Sequence, residues 1–224
     1  MATSGTYNFN LDVDTIIQEA SELIGGEAVL GNEVTSAKRS INLVLTDWQN
    51  RSINLWTVKT TAISVTTSVT SYALTSSTID ILEAVVNRDN RDLGMIRISM
   101  EEYLQINNKS QTGRPSQYAI RRGRDNPELF LYPIPENSTD MLKLEQIHKI
   151  QDVENIIAEN VDIPTRFLPC LTMGLAYYMA MKRPNVPNER IGLLKQNYEE
   201  LLNNAQMEDR ERTSLFFKPK LSRV

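Results

Sequence analysis

Residues 33–56 read EVTSAKRSINLVLTDWQNRSINLW, and this stretch marks the change from a helical to a strand-rich part of the chain. Its apolar residues recur at steps of three and four, the spacing that places side chains on one face of a helix. After Ser52 this spacing ends and a run rich in threonine begins. The stretch therefore predicts an amphipathic helix whose buried face carries Val34, Ala37, Ile41, Val44, Leu45 and Trp48.

Helical patterns also occur near both ends of the chain. A first helix can begin at Asp12 or Asp14, because aspartate is a favoured N-cap residue, and it can end at Gly25 and Gly26. Residues 167–183 are apolar on nearly all sides, which is typical of a fully buried helix. The spacing of three and four returns in a last long helix through Ile191, Leu194, Tyr198, Leu201 and Ala205. We expect the four helices to close into one bundle.

The middle of the chain alternates apolar and polar residues with a period of two, as half-buried strands do. A low-complexity or glycosylated stalk is the competing interpretation of the Ser- and Thr-rich residues 57–78, but their branched apolar residues alternate as in strands. Residues 78–88 fit either a strand or a short turn of helix. Ser99 with Glu102 has capping-box spacing, which predicts a short helix through Ile106. About five strands with hairpin-length connections predict an antiparallel sheet or small barrel.

The predicted fold class is therefore α+β, a discontinuous four-helix bundle from both termini with an antiparallel β insert. We expect a helical bundle domain made of residues 12–56 and 160–212, and a β insert domain at residues 57–155. Residues 1–11 and 213–224 lack a helical period and are predicted to be terminal arms.

Few residues of the sequence could carry chemistry. His148 is the only histidine and Cys170 the only cysteine, so a zinc site or a Cys-His pair would have to be built from single residues. The adjacent carboxylates at 101–102 and 199–200 diverge by about 100 degrees on a helix, which suits a solvated face better than a hydrolytic pair. No Gly-rich phosphate loop or nucleophile elbow is present. We therefore predict no catalytic, cofactor-binding or metal-binding residues, no cofactor and no enzyme.

Composition narrows the class of protein further. The net charge of −4 is opposite to the basic balance of most nucleic-acid-binding domains. A single cysteine excludes an internal disulfide bond. No apolar run approaches the ~20 residues that cross a bilayer, and the first residues lack the pattern of a signal peptide. We expect a protein that matures in a cytoplasm and has no contact with a membrane.

One segment, residues 109–124, carries five cations and no acidic residue. Such a patch could bind nucleic acid or an acidic partner, or it could be a solvated loop. Because arginine is favoured at interfaces, contact with another protein is the best functional interpretation. Its cations are Lys109, Arg114, Arg121, Arg122 and Arg124.

The C-terminal arm, TSLFFKPKLSRV, combines apolar and basic residues without a helical period. Two aromatic rings beside three cations are too apolar for a solvated end, and they fit a segment that docks on a partner. The candidate docking residues are Leu215, Phe216, Phe217, Lys218, Lys220 and Arg223.

Three stretches resemble one known family in their order along the chain. They are the helix that runs into INLW at 53–56, the G-R-P-x-x-Y turn at 113–118, and the L-x-L-Y-P-x-P strand end at 129–135. Together they resemble the head-to-tail adaptors of short-tailed bacteriophages, also called tail tubular protein A or packaged-DNA stabilisation protein. The family has no catalytic motif to transfer to this chain.

The resemblance implies a structural virion protein of the neck or tail, assembled in the host cytoplasm. It implies a ring, usually of twelve copies, that binds beneath the portal protein, seats the tail nozzle protein and helps to retain packaged DNA. Genomic DNA would pass through the lumen without sequence-specific binding. The C-terminal arm would dock on the portal, and the segment 109–124 would contact a neighbouring subunit or the nozzle.

Two alternative functions place different requirements on the sequence. A nucleic-acid-binding phage regulator would require the basic segment 109–124 to dominate the surface. A tail-associated cell-wall hydrolase would require two carboxylates facing each other across a cleft.

Overall fold

The computed structural model describes residues 5–6, 9–26, 31–53, 55–154 and 159–209. Within these residues the chain is mixed α+β, with five α-helices and three small sheets, so the predicted class is confirmed. The helices are α1 (Val13–Ile24), α2 (Gly31–Asn50), α3 (Met100–Gln105), α4 (Leu168–Ala180) and α5 (Asn188–Glu208). The strands are β1 (Val58–Ser64), β2 (Ser71–Ala73), β3 (Thr78–Arg88), β4 (Arg91–Gly94), β5 (Ile96–Arg97), β6 (Thr112–Gly113), β7 (Gln117–Arg121), β8 (Glu128–Tyr132), β9 (Ile134–Pro135) and β10 (Met141–His148).

The chain divides into two compact units. The first comprises Met1–Val44 and Val153–Val224, and the second comprises Leu45–Asp152. In the first unit α4 packs against both α1 and α5. A closed four-helix bundle is not confirmed by these contacts, and the predicted domain limits stay a prediction.

Local chemistry sets both ends of α1. The Asp12 carboxylate accepts a hydrogen bond of 2.9 Å from the Thr15 backbone N–H, so Asp12 rather than Asp14 is the N-cap. At the other end Gly25 has a φ of 82°, which a residue without a side chain adopts at little cost. The backbone N–H groups of Gly25 and Gly26 then donate to the last carbonyls of the helix. This is a Schellman motif, and the predicted end of the helix is confirmed.

The most buried helix is α4, as its apolar sequence predicts. It crosses α5 at Gly174, where an added Cβ atom would lie only 2.7 Å from the ring of Tyr198. Tyr198 is itself buried at 2% exposure, so its ring has no space into which it could move. Gly174 therefore permits the close approach of the two helices.

The second unit is built around an antiparallel sheet of order β1-β10-β3-β4 and a second sheet of order β2-β8-β7-β5. Apolar side chains from both sheets share one core. Its buried members are Val65, Leu74, Ile81, Ala84, Val86, Tyr118, Leu129, Leu131, Leu142 and Leu144. The hairpin of β7 and β8 is antiparallel as predicted.

The structure corrects several predicted details. The described residues contain ten strands rather than about five. Of the two alternatives for residues 78–88, the strand is the one observed. Two short pairs, β5 with β7 and β6 with β9, are parallel, so the insert is not antiparallel throughout. The capping box of Ser99 and Glu102 is confirmed. A 3-10 turn, Thr165–Phe167, leads into α4, which begins at Leu168 and ends at Ala180, inside the predicted apolar stretch 167–183.

Replacing Gly174 with alanine tests the close packing of α4 on α5. We expect Gly174→Ala to lower the free energy of unfolding by about 1–3 kcal/mol, because the new methyl group overlaps the Tyr198 ring. The matched control is Gly192→Ala on α5, where no atom lies within 4 Å of the added Cβ. That change should stabilise the helix by about 0.5–1 kcal/mol. Urea unfolding followed by circular dichroism measures both, and equal effects would contradict the tight crossing.

Candidate assembly surfaces

The two turn motifs that carry the family resemblance meet in the second unit. Residues 112–113 pair with 134–135 in a short parallel ladder, and Tyr118 lies opposite Leu131 in the β7–β8 hairpin. The Tyr132 hydroxyl donates a hydrogen bond of 2.8 Å to the Gln111 side chain. Sequence segments 113–118 and 129–135 therefore form one local structure, although neither segment alone indicates the contact.

Three of the five predicted basic residues have a partner within 3.4 Å. Lys109 Nζ donates to the backbone carbonyl oxygens of Leu104 and Ile106, at 2.7 and 3.0 Å, and so satisfies the end of α3. Arg121 forms an ion pair of 3.4 Å with Glu128. Its guanidinium also lies 4.8 Å from the centre of the Phe130 ring. The third, Arg122, is ion-paired with Asp80.

Asp80 organises this part of the basic surface. Its carboxylate is ion-paired with Arg122 and with Arg97, whose Nη2 atom lies 2.9 Å from Oδ1. Arg97 also donates a hydrogen bond of 3.0 Å to the Ile81 carbonyl oxygen. Arg97 was not a candidate from the sequence, and no pattern of neighbouring residues indicates its ion pair with Asp80. One carboxylate thus pairs with two arginines near β7.

The remaining two cations, Arg114 and Arg124, are held most weakly among the described residues. Arg124 is 96% exposed and forms a long ion pair, 3.8 Å, with Asp125, which is 88% exposed. Arg114 is exposed beside the G-R-P turn and makes no ion pair with any residue that the structure describes. Arg114 and Arg124 are therefore the two cations of this segment that are most available to a partner.

The most buried carboxylate in an ion pair belongs to Asp140, a residue that sequence analysis did not select. Arg88 donates two parallel hydrogen bonds to it, of 2.8 and 2.7 Å, and a third of 2.8 Å to Glu136. The Asp140 side chain is only 1% exposed. The hydrogen bonds to Asp140 and then Glu136 raise the pKa of Arg88. This pair joins the end of β3 to the turn before β10.

Removing the guanidinium of Arg88 tests how much this ion pair contributes to the stability of the fold. We expect Arg88→Met to lower the free energy of unfolding by about 2–4 kcal/mol, because the Asp140 carboxylate would stay buried without a cation. The control Arg121→Met removes an exposed pair and should cost less than about 1 kcal/mol. Chemical denaturation compares the two, and similar losses would show that burial of Asp140 is unimportant.

The two residues considered for nucleophile or metal chemistry belong to different units. His148 Nδ1 lies 3.1 Å from the Ser77 hydroxyl, and its buried Nε2 has no hydrogen-bond partner in the described part of the chain. Cys170 is buried at 1% exposure, and burial raises the pKa of its thiol to about 12. Among the described residues no group of three or more potential ligands could hold a metal ion.

The pKa of His148 provides a test by pH. Burial, followed by the charge of Lys59, lowers this pKa below 6.5, the value expected in the unfolded chain. Between the two pKa values the unfolded state binds more protons, so the free energy of unfolding rises with pH and falls on acidification below 6.5. The single imidazole resonance should titrate below pH 6.5 in the native protein. In His148→Gln the slope of stability in this window should decrease, and an unchanged slope would contradict the assignment.

The remaining sequence interpretations concern a carboxylate on α3, the C-terminal arm and contact with a membrane. Glu102 accepts a hydrogen bond of 2.7 Å from the Ser99 backbone N–H, so this carboxylate caps α3. The candidate docking residues from Leu215 to Arg223 lie outside the described residues. In the described part of the chain, no helix combines the length and apolar character needed to cross a membrane.

A family model described as SU10 adaptor protein matches residues 11–219. The chain belongs to this family. The predicted resemblance to head-to-tail adaptors of short-tailed phages is thereby confirmed. No curated protein sequence matches the chain.

Membership makes the protein a structural phage adaptor, a component of the virion neck that contacts other virion components. The family is structural and is not known for catalysis.

Proposed function

We propose that this adaptor forms a ring, of about twelve copies, that joins the portal to the tail nozzle and helps to retain packaged DNA. The family match across residues 11–219 carries the proposal. The helical unit would form the body of the ring, with its helices completing a bundle. The second unit would present its turns to neighbouring subunits or to the nozzle.

The structure suggests which cations would take part in such contacts. Arg114 and Arg124 are exposed, whereas Lys109, Arg121 and Arg122 bind groups within the second unit. An exposed arginine that is held only weakly within its own chain can form a bidentate pair with a carboxylate of another chain. The proposed contact with a subunit or the nozzle is therefore narrowed to these two residues.

The negative net charge of the chain is compatible with a ring through which DNA passes. At −4 per chain, twelve copies would carry about −48, as 12 × −4. DNA and a negatively charged ring repel each other, which favours a conduit over a surface that binds the genome. DNA would pass through the lumen without sequence-specific contacts.

The C-terminal arm is the proposed docking element for the portal. Aromatic side chains dominate the binding energy of many interfaces, and Phe216 and Phe217 are adjacent in the sequence. Leu215 would extend the apolar contact. The cations Lys218, Lys220 and Arg223 would be oriented by acidic groups on the portal and would mainly accelerate association.

Replacing the two phenylalanines with alanine tests this function. If each ring is buried on the portal, the change should weaken binding by roughly 2–4 kcal/mol per site, multiplied by avidity around the ring. Binding to purified portal rings is measured by sedimentation, beside the thermal stability of the free chain.

The control variant replaces Lys218, Lys220 and Arg223 with glutamine and keeps both rings. It should bind more slowly but lose less affinity. Unchanged binding of the Phe216→Ala and Phe217→Ala variant would refute the docking function of the arm. A large loss of thermal stability would refute it as well, because it would mean that the arm packs on its own chain.

A further inference from the structure

Strand β1 is an open edge of the first sheet. Among the described residues its only ladder partner is β10, with which it pairs regularly from Val58 to Ser64. Next to this ladder, the Val65 N–H donates a hydrogen bond of 3.2 Å to the Asp140 carbonyl oxygen. This bond shows which residues of β1 direct their backbone groups towards β10. In an antiparallel pair every second residue directs its backbone groups away from the partner. Val58, Thr60, Ala62 and Ser64 therefore direct their N–H and C=O groups outward.

Apart from one lysine, this edge lacks the features that usually protect an edge strand. The strand contains no proline, and its pairing with β10 shows no bulge. Lys59 is its only charged residue. The outward-facing Thr60, Ala62 and Ser64 are exposed and small, so another strand could approach closely. Such an edge is a template for an added strand.

A second segment of the chain also has the sequence of a strand. Residues 7–11 read YNFNL, which alternates large apolar residues with asparagine. Phe9 is 67% exposed, an unusual position for a large aromatic side chain. Within the described part of the chain, residues 9–11 belong to no strand. The next residue, Asp12, is anchored by a bridge to Asn160.

We propose that the segment containing Phe9–Leu11 of one copy adds as an extra strand to the β1 edge of a neighbouring copy. The proposal rests on the ring described above and names the contact between its subunits. Residues 1–11 carry no charged side chain, so nothing opposes their pairing with a strand that has a single lysine. The five-residue segment spans about 17 Å and β1 about 23 Å, so the edge is long enough.

The symmetry of a ring favours addition of a neighbouring copy's arm to β1 over direct pairing of two β1 edges. Direct contact of β1 with β1 is two-fold symmetric and ends at a dimer. An arm that leaves one copy and fills the edge of the next is a head-to-tail contact, which repeats until a ring closes.

The side chains on β1 also suit an added strand. Ile63 is half-buried against the core of the second unit, and it shares its face with Val65. Because side chains alternate between faces, Phe9 and Leu11 would extend this apolar face while Asn10 faces solvent with Thr60 and Ala62. The exposed ring of Phe9 would thereby become covered.

A proline at position 62 tests the edge without removing a bond to β10. Ala62 directs its N–H outward, so Ala62→Pro removes a donor that only an added strand would use. We expect the full-length variant to keep its thermal stability within a few degrees and to lose ring-bound copies on portal rings by about tenfold or more. The matched control, Ala62→Thr, keeps the N–H and should assemble normally. Phe9→Ala should also reduce assembly.

Cross-linking distinguishes a neighbouring copy from the same chain. One full-length chain carries Asn10→Cys and a second carries Ala62→Cys, and the two are mixed with portal rings before a short thiol cross-linker is added. Cys170 can be kept, because its buried thiol has a pKa of about 12 and little thiolate. The expected product is a dimer of the two different chains.

The outcomes separate this proposal from the function on which it rests. If wild-type chains form rings on the portal but the mixed dimer is absent, or if Ala62→Pro assembles like the wild type, strand addition is refuted and the adaptor function stands. A cross-link formed only within a chain carrying both cysteines also refutes it. If wild-type chains form no ring, both proposals fail.

Discussion

The antiparallel ladder between β1 and β10 is the constraint on which the second unit depends. It joins the first strand of that unit to its last one through seven consecutive pairs, from Val58 with Ile147 to Ser64 with Met141. β10 also pairs with β3 on its other side, so a single strand ties together segments more than fifty residues apart along the chain. Leu142 and Leu144 contribute fully buried side chains from the same strand. The shared core of the two sheets is therefore built from strands that are distant along the chain, and pairing of such distant strands typically slows folding.

Features set by neighbouring residues could be predicted from the sequence. The cap at Asp12, the capping box of Ser99 and Glu102, and the glycine end of α1 each involve residues at most five positions apart. The buried face of α2 could also be predicted, from the spacing of its apolar residues along the helix.

Partners that are distant in the sequence could not be predicted in this way. Arg88 and Asp140 are separated by 52 positions, and neither has a neighbour that points to the other. The parallel pairs of β5 with β7 and β6 with β9 are two residues long, too short for a periodicity to show. The basic segment 109–124 was recognisable by composition, but Asp80, which neutralises part of it, lies in β3. Composition measures charge along the chain, whereas binding depends on charge in space.

The single cysteine of the chain has a consequence for the life of the particle outside its host. Outside the host, a virion meets surroundings that contain oxygen and peroxides, where exposed thiolates are converted to sulfenic acid or to disulfides. Cys170 lies inside α4 at 1% exposure, and its S–H group donates to the Phe167 carbonyl oxygen. Oxidants react with the thiolate, which this environment suppresses. The sole cysteine of the adaptor is thus chemically inert, and a particle can age in air without covalent links forming through this residue.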